Sequence, residues 1–191
     1  MGRFASLTLG VLVCLVFISG CRQGQQRTDI AMQEASRLQA PMETLSKYSK
    51  VKLNAMELKG EVAGDSKKVK AAKDLEDRLQ TKLGPLLDSW NNGNTGDGST
   101  LIIQPVLQNL YIVSAGSRFW VGGMAGNSSI DMDLLLTDEA TGKRIAAPRI
   151  QRDASAMGGA YSVGGTDRNL PNYIVDIAYN YLQMHYKPSA K

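Results

Sequence analysis

Apolar and polar positions divide this chain into an apolar leader and a patterned body. Phe4 to Ile18 is nearly unbroken apolar sequence behind Arg3, with Gly10 inside it. A positive start, a short apolar middle and the small pair Ser19-Gly20 are the layout of a secretory signal. The run is too short for a comfortable membrane-spanning helix. Residues 22–29 are polar without an apolar period and read as a tether. A short helix is predicted from Ile30 to Gln39, capped by Thr28 or Asp29 and followed by Pro41. Tyr48 to Leu58 alternates in part, with Val51, Leu53 and Ala55 on one side, and reads as a half-buried strand. Gly60 to Gly64 reads as a turn. Asp65 or Ser66 then opens a helix whose apolar face is Val69, Ala72, Leu75, Leu79 and Leu83. Gly84-Pro85 marks a kink or an end, with Leu86, Leu87 and Trp90 as a continuation.

Asn91 to Ser99 is a loop by composition. Leu101 to Val113 is extended, and Pro105 within it points to an edge strand or a bulge. Ser129 to Thr137 alternates cleanly, with Ile130, Met132, Leu134 and Leu136 on one face. Asp138 to Gly142 is a hairpin turn, and Lys143 to Ala154 is the returning strand. Leu170 to Tyr186 carries the helical stripe Ile174, Ile177, Ala178, Tyr181 and Leu182, capped by Asn169 ahead of Pro171. Two glycine-rich segments, 114–128 and 157–166, separate these elements. The order strand, helix, three strands, helix predicts an α+β two-layer sandwich. Its antiparallel-rich sheet has about four strands, and two helices cover one face. The domain reading is 1–20 signal, 21–45 modified N-terminus and flexible tether, and 46–187 a single domain.

Composition changes this picture in one place. The chain has two cysteines, Cys14 inside the leader and Cys21 directly after Ile18-Ser19-Gly20. That tetrapeptide resembles the bacterial lipobox, in which cleavage leaves the cysteine as an acylated N-terminus. The resemblance implies a palmitate-type lipid on Cys21, a membrane partner and an envelope address. Arg22, where an Asp would favour inner-membrane retention, points to a periplasm-facing outer-membrane position. With Cys21 acylated and Cys14 removed, the 171 residues after position 20 hold no disulfide and no cysteine metal site. They carry 21 basic and 18 acidic side chains, net +3, since the leader's one charge is Arg3. This balance selects no nucleic-acid partner.

Catalytic chemistry finds little to work with. The one histidine, His185, falls near the C-terminus and reads as a solvated terminal residue, which argues against a Ser-His-Asp site. Asp131 and Asp133 share the polar side of their strand and are the only carboxylate pair suited to glycan cleavage; the competing reading is a solvent face. No glycine cluster forms a phosphate loop, and no ligand spacing suits a metal. No catalytic residue, cofactor or metal is predicted. Phe119, Trp120 and Met124 in one glycine-rich loop and Tyr161 in the other are candidate partner or membrane contacts; the alternative is that they tuck under their own loops.

The block from Arg118 through Gly122-Gly123 and Gly126, an alternating strand, and Leu136 to Gly142 (LTDEATG) resembles a family of Gram-negative lipoproteins of unknown function. The closing helix from Ile174 to Leu182 fits the same pattern. The resemblance spans roughly Tyr48 to Tyr186 and implies no reaction. The architecture is also similar to envelope lipoproteins that assemble secretion channels or activate peptidoglycan synthases. The expectation is a non-catalytic lipoprotein that binds a protein partner or its own copies. The alternatives are a cell-wall glycan hydrolase or binding protein, and a subunit of an oligomeric pore or secretion complex.

Overall fold

A computed structural model describes residues 27–93, 96–111, 128–153 and 165–186. The elements in chain order begin with α1 (residues 27–37), a 3-10 turn at Leu45–Lys47, β1 (Lys50–Leu53) and β2 (Glu57–Leu58). Next come α2 (Gly60–Gly64), α3 (Ser66–Gly93), β3 (Thr100–Tyr111) and β4 (Ser129–Asp138). Last are β5 (Arg144–Ala146), β6 (Arg149–Asp153) and α4 (Gly165–His185). The fold is α+β, with a mixed six-stranded sheet that does not close on itself.

The six strands occupy four rows. β3 and β4 are the long antiparallel centre, from Leu101↔Asp138 to Tyr111↔Ser129. β1 and β2 line one side of β3, both parallel to it. β5 and β6 line the far side of β4, both antiparallel. The strand read from Tyr48 to Leu58 is therefore broken at 54–56, which leaves Ala55 exposed, and the strand read from Lys143 to Ala154 is broken at Ala147-Pro148. The parallel pairing follows from chain order: β1, the long crossover helix α3 and β3 make a βαβ unit.

Pro105 corrects one expectation. It lies in the central strand β3, not at an edge. The carbonyls of Ile103 and Leu107 accept from Asn54 and Lys59, so the backbone of alternate residues in this stretch points to the β1/β2 side. Pro105, which lacks an N–H, faces the break between those two strands. Gln104 stitches the gap, donating to the Ala55 carbonyl at 2.6 Å and accepting from Asn54 Nδ2 at 3.1 Å. The register shift in β3 comes later, between Leu107 and Asn109. It reverses the alternation, so Leu101, Ile103 and Leu107 share the core with Leu110.

α3 packs over β1 and β3, and α4 over β4 and β6. α3 starts where Asp65 Oδ1 accepts from the N–H groups of Lys67 (2.8 Å) and Lys68 (3.2 Å). Ala72, Leu75, Leu79 and Leu83 are buried as the stripe predicts, but Val69 is 38% exposed. The helix runs through Gly84-Pro85, because Leu87 and Trp90 extend the buried stripe beyond it. It absorbs 91–93 of the loop read at Asn91 to Ser99. Gly60 to Gly64 is a helical turn anchored by buried Val62. α4 starts at Gly165, so Asn169 is inside the helix rather than its cap, and Pro171 lies in the second turn. Its predicted stripe is fully buried. Trp90 stacks on Tyr186 with centroids 4.0 Å apart, pinning the ends of α3 and α4 together.

The packed domain also starts earlier than Ser46. α1 begins by residue 27, within the segment read as tether, and buries Ala31 and Ala35 completely. Tyr181 donates to the Gln39 carbonyl at 2.9 Å, and Met42 N–H donates to Ile145, covering the outer side of β5. No described helix is long and apolar enough to cross a membrane.

Candidate functional site

Alternation on β3, β4 and β6 puts one set of side chains in the core and the other on the opposite sheet face. That outer face carries Lys52, Gln104, Gln108, Asn109, Asp131, Asp133, Arg149 and Gln151, and is left partly exposed. The pairing Asp133↔Arg149 brings the two candidate aspartates beside one guanidinium. Arg149 Nε lies 2.8 Å from Asp133 Oδ1 and Nη2 lies 3.1 Å from Oδ2, a two-pronged clamp. Gln108, turned outward at the register shift, donates to Asp133 Oδ2 at 2.8 Å. Asp131 Oδ1 is 3.5 Å from Arg149 Nε, an ion pair without hydrogen-bond geometry.

The two carboxyls consequently diverge. The hydrogen bond from Arg149 holds Asp133 below the ordinary carboxylate range. Burial pushes Asp131 above it, against the pull of the same guanidinium and with a smaller push from Asp133. Arg149 itself is held more firmly charged by Asp133. The arrangement neutralises one carboxylate and leaves the other half-shielded. The pair is thus neither the plain solvent face nor the free carboxylate pair weighed from the sequence.

A cavity of about 460 Å³ adjoins this cluster, between Glu34, Asn109, Asp131, Gln151 and Arg152. Arg152 is buried on the core side of β6; its guanidinium lies 5.3 Å from the Tyr173 ring centroid and 3.5 Å from Glu34. The cavity sits at the sheet end where Tyr111, Ser129 and Asp153 are neighbours in register. Both glycine-rich segments therefore leave the described fold at one place, a convergence that sequence spacing does not reveal. Cys21, Phe119, Trp120, Met124 and Tyr161 lie outside the described residues.

His185 is not a solvated tail residue. It closes the last turn of α4 with its ring edge-on to Tyr181, centroids 4.7 Å apart. Burial pushes the Tyr181 hydroxyl well up and the Tyr48 hydroxyl to about 12. Among the described residues no group of three histidines, cysteines or carboxylates is placed to hold a metal.

A second polar cluster lies between the helices. Asp176, on α4, is met by Arg27 Nε at 2.9 Å and Lys82 Nζ at 3.3 Å. Arg78 donates to Asn172 at 2.8 Å and pairs with Asp74 at 2.8 Å. A cavity of about 370 Å³ separates these groups. The sequence reading missed this cluster, because Asp176 and Asn172 fall among the apolar positions of their helix.

What the fold defines is an α+β domain with an open mixed sheet and helices on one face. No protein-family model matches the chain, and no curated protein matches it. Among solved structures it is similar to PelC from Paraburkholderia phytofirmans. One structure, a dodecamer in space group P6, aligns with a TM-score of 0.46 and 12% identity over 79% of this chain and 96% of that one. A point variant of that dodecamer in space group C2 aligns with the same TM-score and identity over 76% and 95%.

Proposed function

We propose that this chain is a non-catalytic bacterial envelope lipoprotein, held at the outer membrane by lipid on Cys21, that binds a protein partner or another copy of itself. One observation carries the reading: the lipobox-like Ile18-Ser19-Gly20-Cys21 stands only six residues ahead of α1, a helix built into the core. An acyl anchor adds about 0.8 kcal/mol of membrane affinity per buried methylene, and several chains make attachment effectively permanent. The outer sheet face supplies the binding surface, with long polar side chains and fixed charges in register. Crosslinking in intact membranes, read by mass spectrometry, tests it. The expected result is a defined protein or self-crosslink that disappears when Arg149 is changed to Glu. A monomeric domain with no crosslink from that face contradicts it.

A second reading, cleavage of cell-wall glycan, is favoured by the divergence of Asp131 and Asp133, since an acid and a base need separated pKa values. Against it stands the clamp on Asp133. Release of soluble fragments from purified sacculi by the intact protein, lost in Asp131→Asn, would establish hydrolysis; no release is expected.

A further inference from the structure

We infer that the outward side of α3, beside the point where the chain enters the fold, rests on the phospholipid bilayer that carries the Cys21 lipid, and that the open sheet face is turned away from it. This rests on lipidation of Cys21 as proposed above. Arg27 is the first described residue. Its guanidinium meets Asp176, eleven residues into α4, and Asp176 in turn meets Lys82, sixteen residues into α3. Both contacts are near the middle of long helices. The chain therefore enters the fold at the centre of the helix layer, not at an end or from the sheet.

Six residue-to-residue steps separate Arg27 from Cys21. Fully extended they span about 20 Å, at roughly 3.3–3.6 Å per residue. Turning the sheet face to the bilayer would take the chain around the domain. That path must pass the width of a helix, about 10–12 Å, and one layer spacing, about 10 Å more. The sum uses up the whole reach of the segment before any lipid enters the membrane. With the outward side of α3 down, the same segment has slack, and the tether keeps that surface at high effective concentration at the bilayer.

The chemistry of the helix surface suits zwitterionic headgroups. Along the outward side of α3, Lys67 and Lys70 precede Asp74, Asp77 and Thr81, all exposed. Among the described residues neither Lys67 nor Lys70 has a carboxylate within ion-pair reach, which leaves both ammonium groups for lipid phosphate. Asp77 pairs with Lys73 at 2.8 Å and Asp74 with Arg78, so this part is close to neutral. Both signs in one row give little net attraction. Orientation is therefore set by the tether rather than by bulk charge.

The test uses lipidated protein extracted from membranes and reconstituted in phosphatidylethanolamine–phosphatidylcholine vesicles containing headgroup-nitroxide lipid. Two single-site variants, Thr81→Cys on the helix layer and Gln151→Cys on the sheet face, carry the same fluorophore. Quenching at position 81 is expected to exceed quenching at position 151 several-fold. It is also expected to persist in about 1 M salt, where the screening length is about 3 Å. Equal quenching, or stronger quenching at 151, in protein that floats with the vesicles overturns the orientation while leaving the anchor standing. Protein that carries no lipid and fails to float overturns the anchor, and the inference with it.

Discussion

Asp131 and Asp133 differ by one methionine in sequence and by the sign of their effect on stability. Asp133 has its folded-state pKa held down by Arg149 and Gln108. Its contribution is complete above the unfolded value near pH 4 and is lost as pH falls through the lower folded value. Asp133→Asn is expected to cost about 1 kcal/mol at neutral pH, the half-exposed Arg149 reducing what a charged hydrogen bond otherwise gives. The same change flattens the acid limb in urea titrations run from neutral pH downward. Asp131 is raised by burial, so the folded state favours its neutral form. That preference stabilises below the unfolded pKa and is lost as pH rises through the folded one. Asp131→Asn is therefore expected to be neutral or stabilising at neutral pH. Equal losses in both variants would contradict the assignment. The sequence shows the two carboxylates sharing a face. It does not show the difference, which comes from Arg149 across the β4–β6 pairing and from the register shift that aims Gln108 at one of them.

Elements in this chain are legible where one period runs unbroken. α3, β4 and α4 follow directly from their stripes, and the DEATG turn closes as expected, with Gly142 at φ +67° and Asp138 accepting from Thr141 at 2.9 Å. Legibility fails where an element depends on a neighbour. β1 and β2 are short because Pro105 offers no donor between them. Their outer sides are closed by α3, whose Asn91 bridges the N–H and carbonyl of Val51 at 2.7 and 3.1 Å and whose Glu76 accepts from Met56 N–H at 2.7 Å. These side chains blunt a sheet edge that would otherwise invite another strand. Asn91→Ala is expected to cost about 1–3 kcal/mol through the unpaired Val51 groups and to raise aggregation on mild heating, read by urea denaturation and light scattering. Gly96 is a second hidden dependence. A Cβ there would lie 2.3 Å from the Lys47 carbonyl oxygen, where the 96–99 segment pairs with residues 47–50. Gly96→Ala is expected to destabilise by about 1–3 kcal/mol in the same assay, since backbone rather than a flexible side chain must shift. Wild-type stability in either variant would refute its role.

At the scale of the whole molecule, layer architecture was legible and directionality was not. Two amphipathic helices and an alternating sheet dictate an α+β sandwich, because each apolar stripe needs a partner. Which face is free, where both glycine-rich segments leave the fold, and where the N-terminus enters are set by strand order and by contacts such as Arg27–Asp176. None of these leaves a local pattern in the sequence. The candidate contacts Phe119, Trp120, Met124 and Tyr161 belong to those two segments and lie outside the described residues. What joins the parts is the short distance between Cys21 and α1. The proposed function and the proposed orientation both stand on that anchor. Metabolic labelling with palmitate, comparing the wild-type chain with Cys21→Ser in membrane fractions, tests it most directly. Label and membrane association are expected in the wild type, and loss of both in the variant. A wild-type chain without label, or label surviving the substitution, would contradict it.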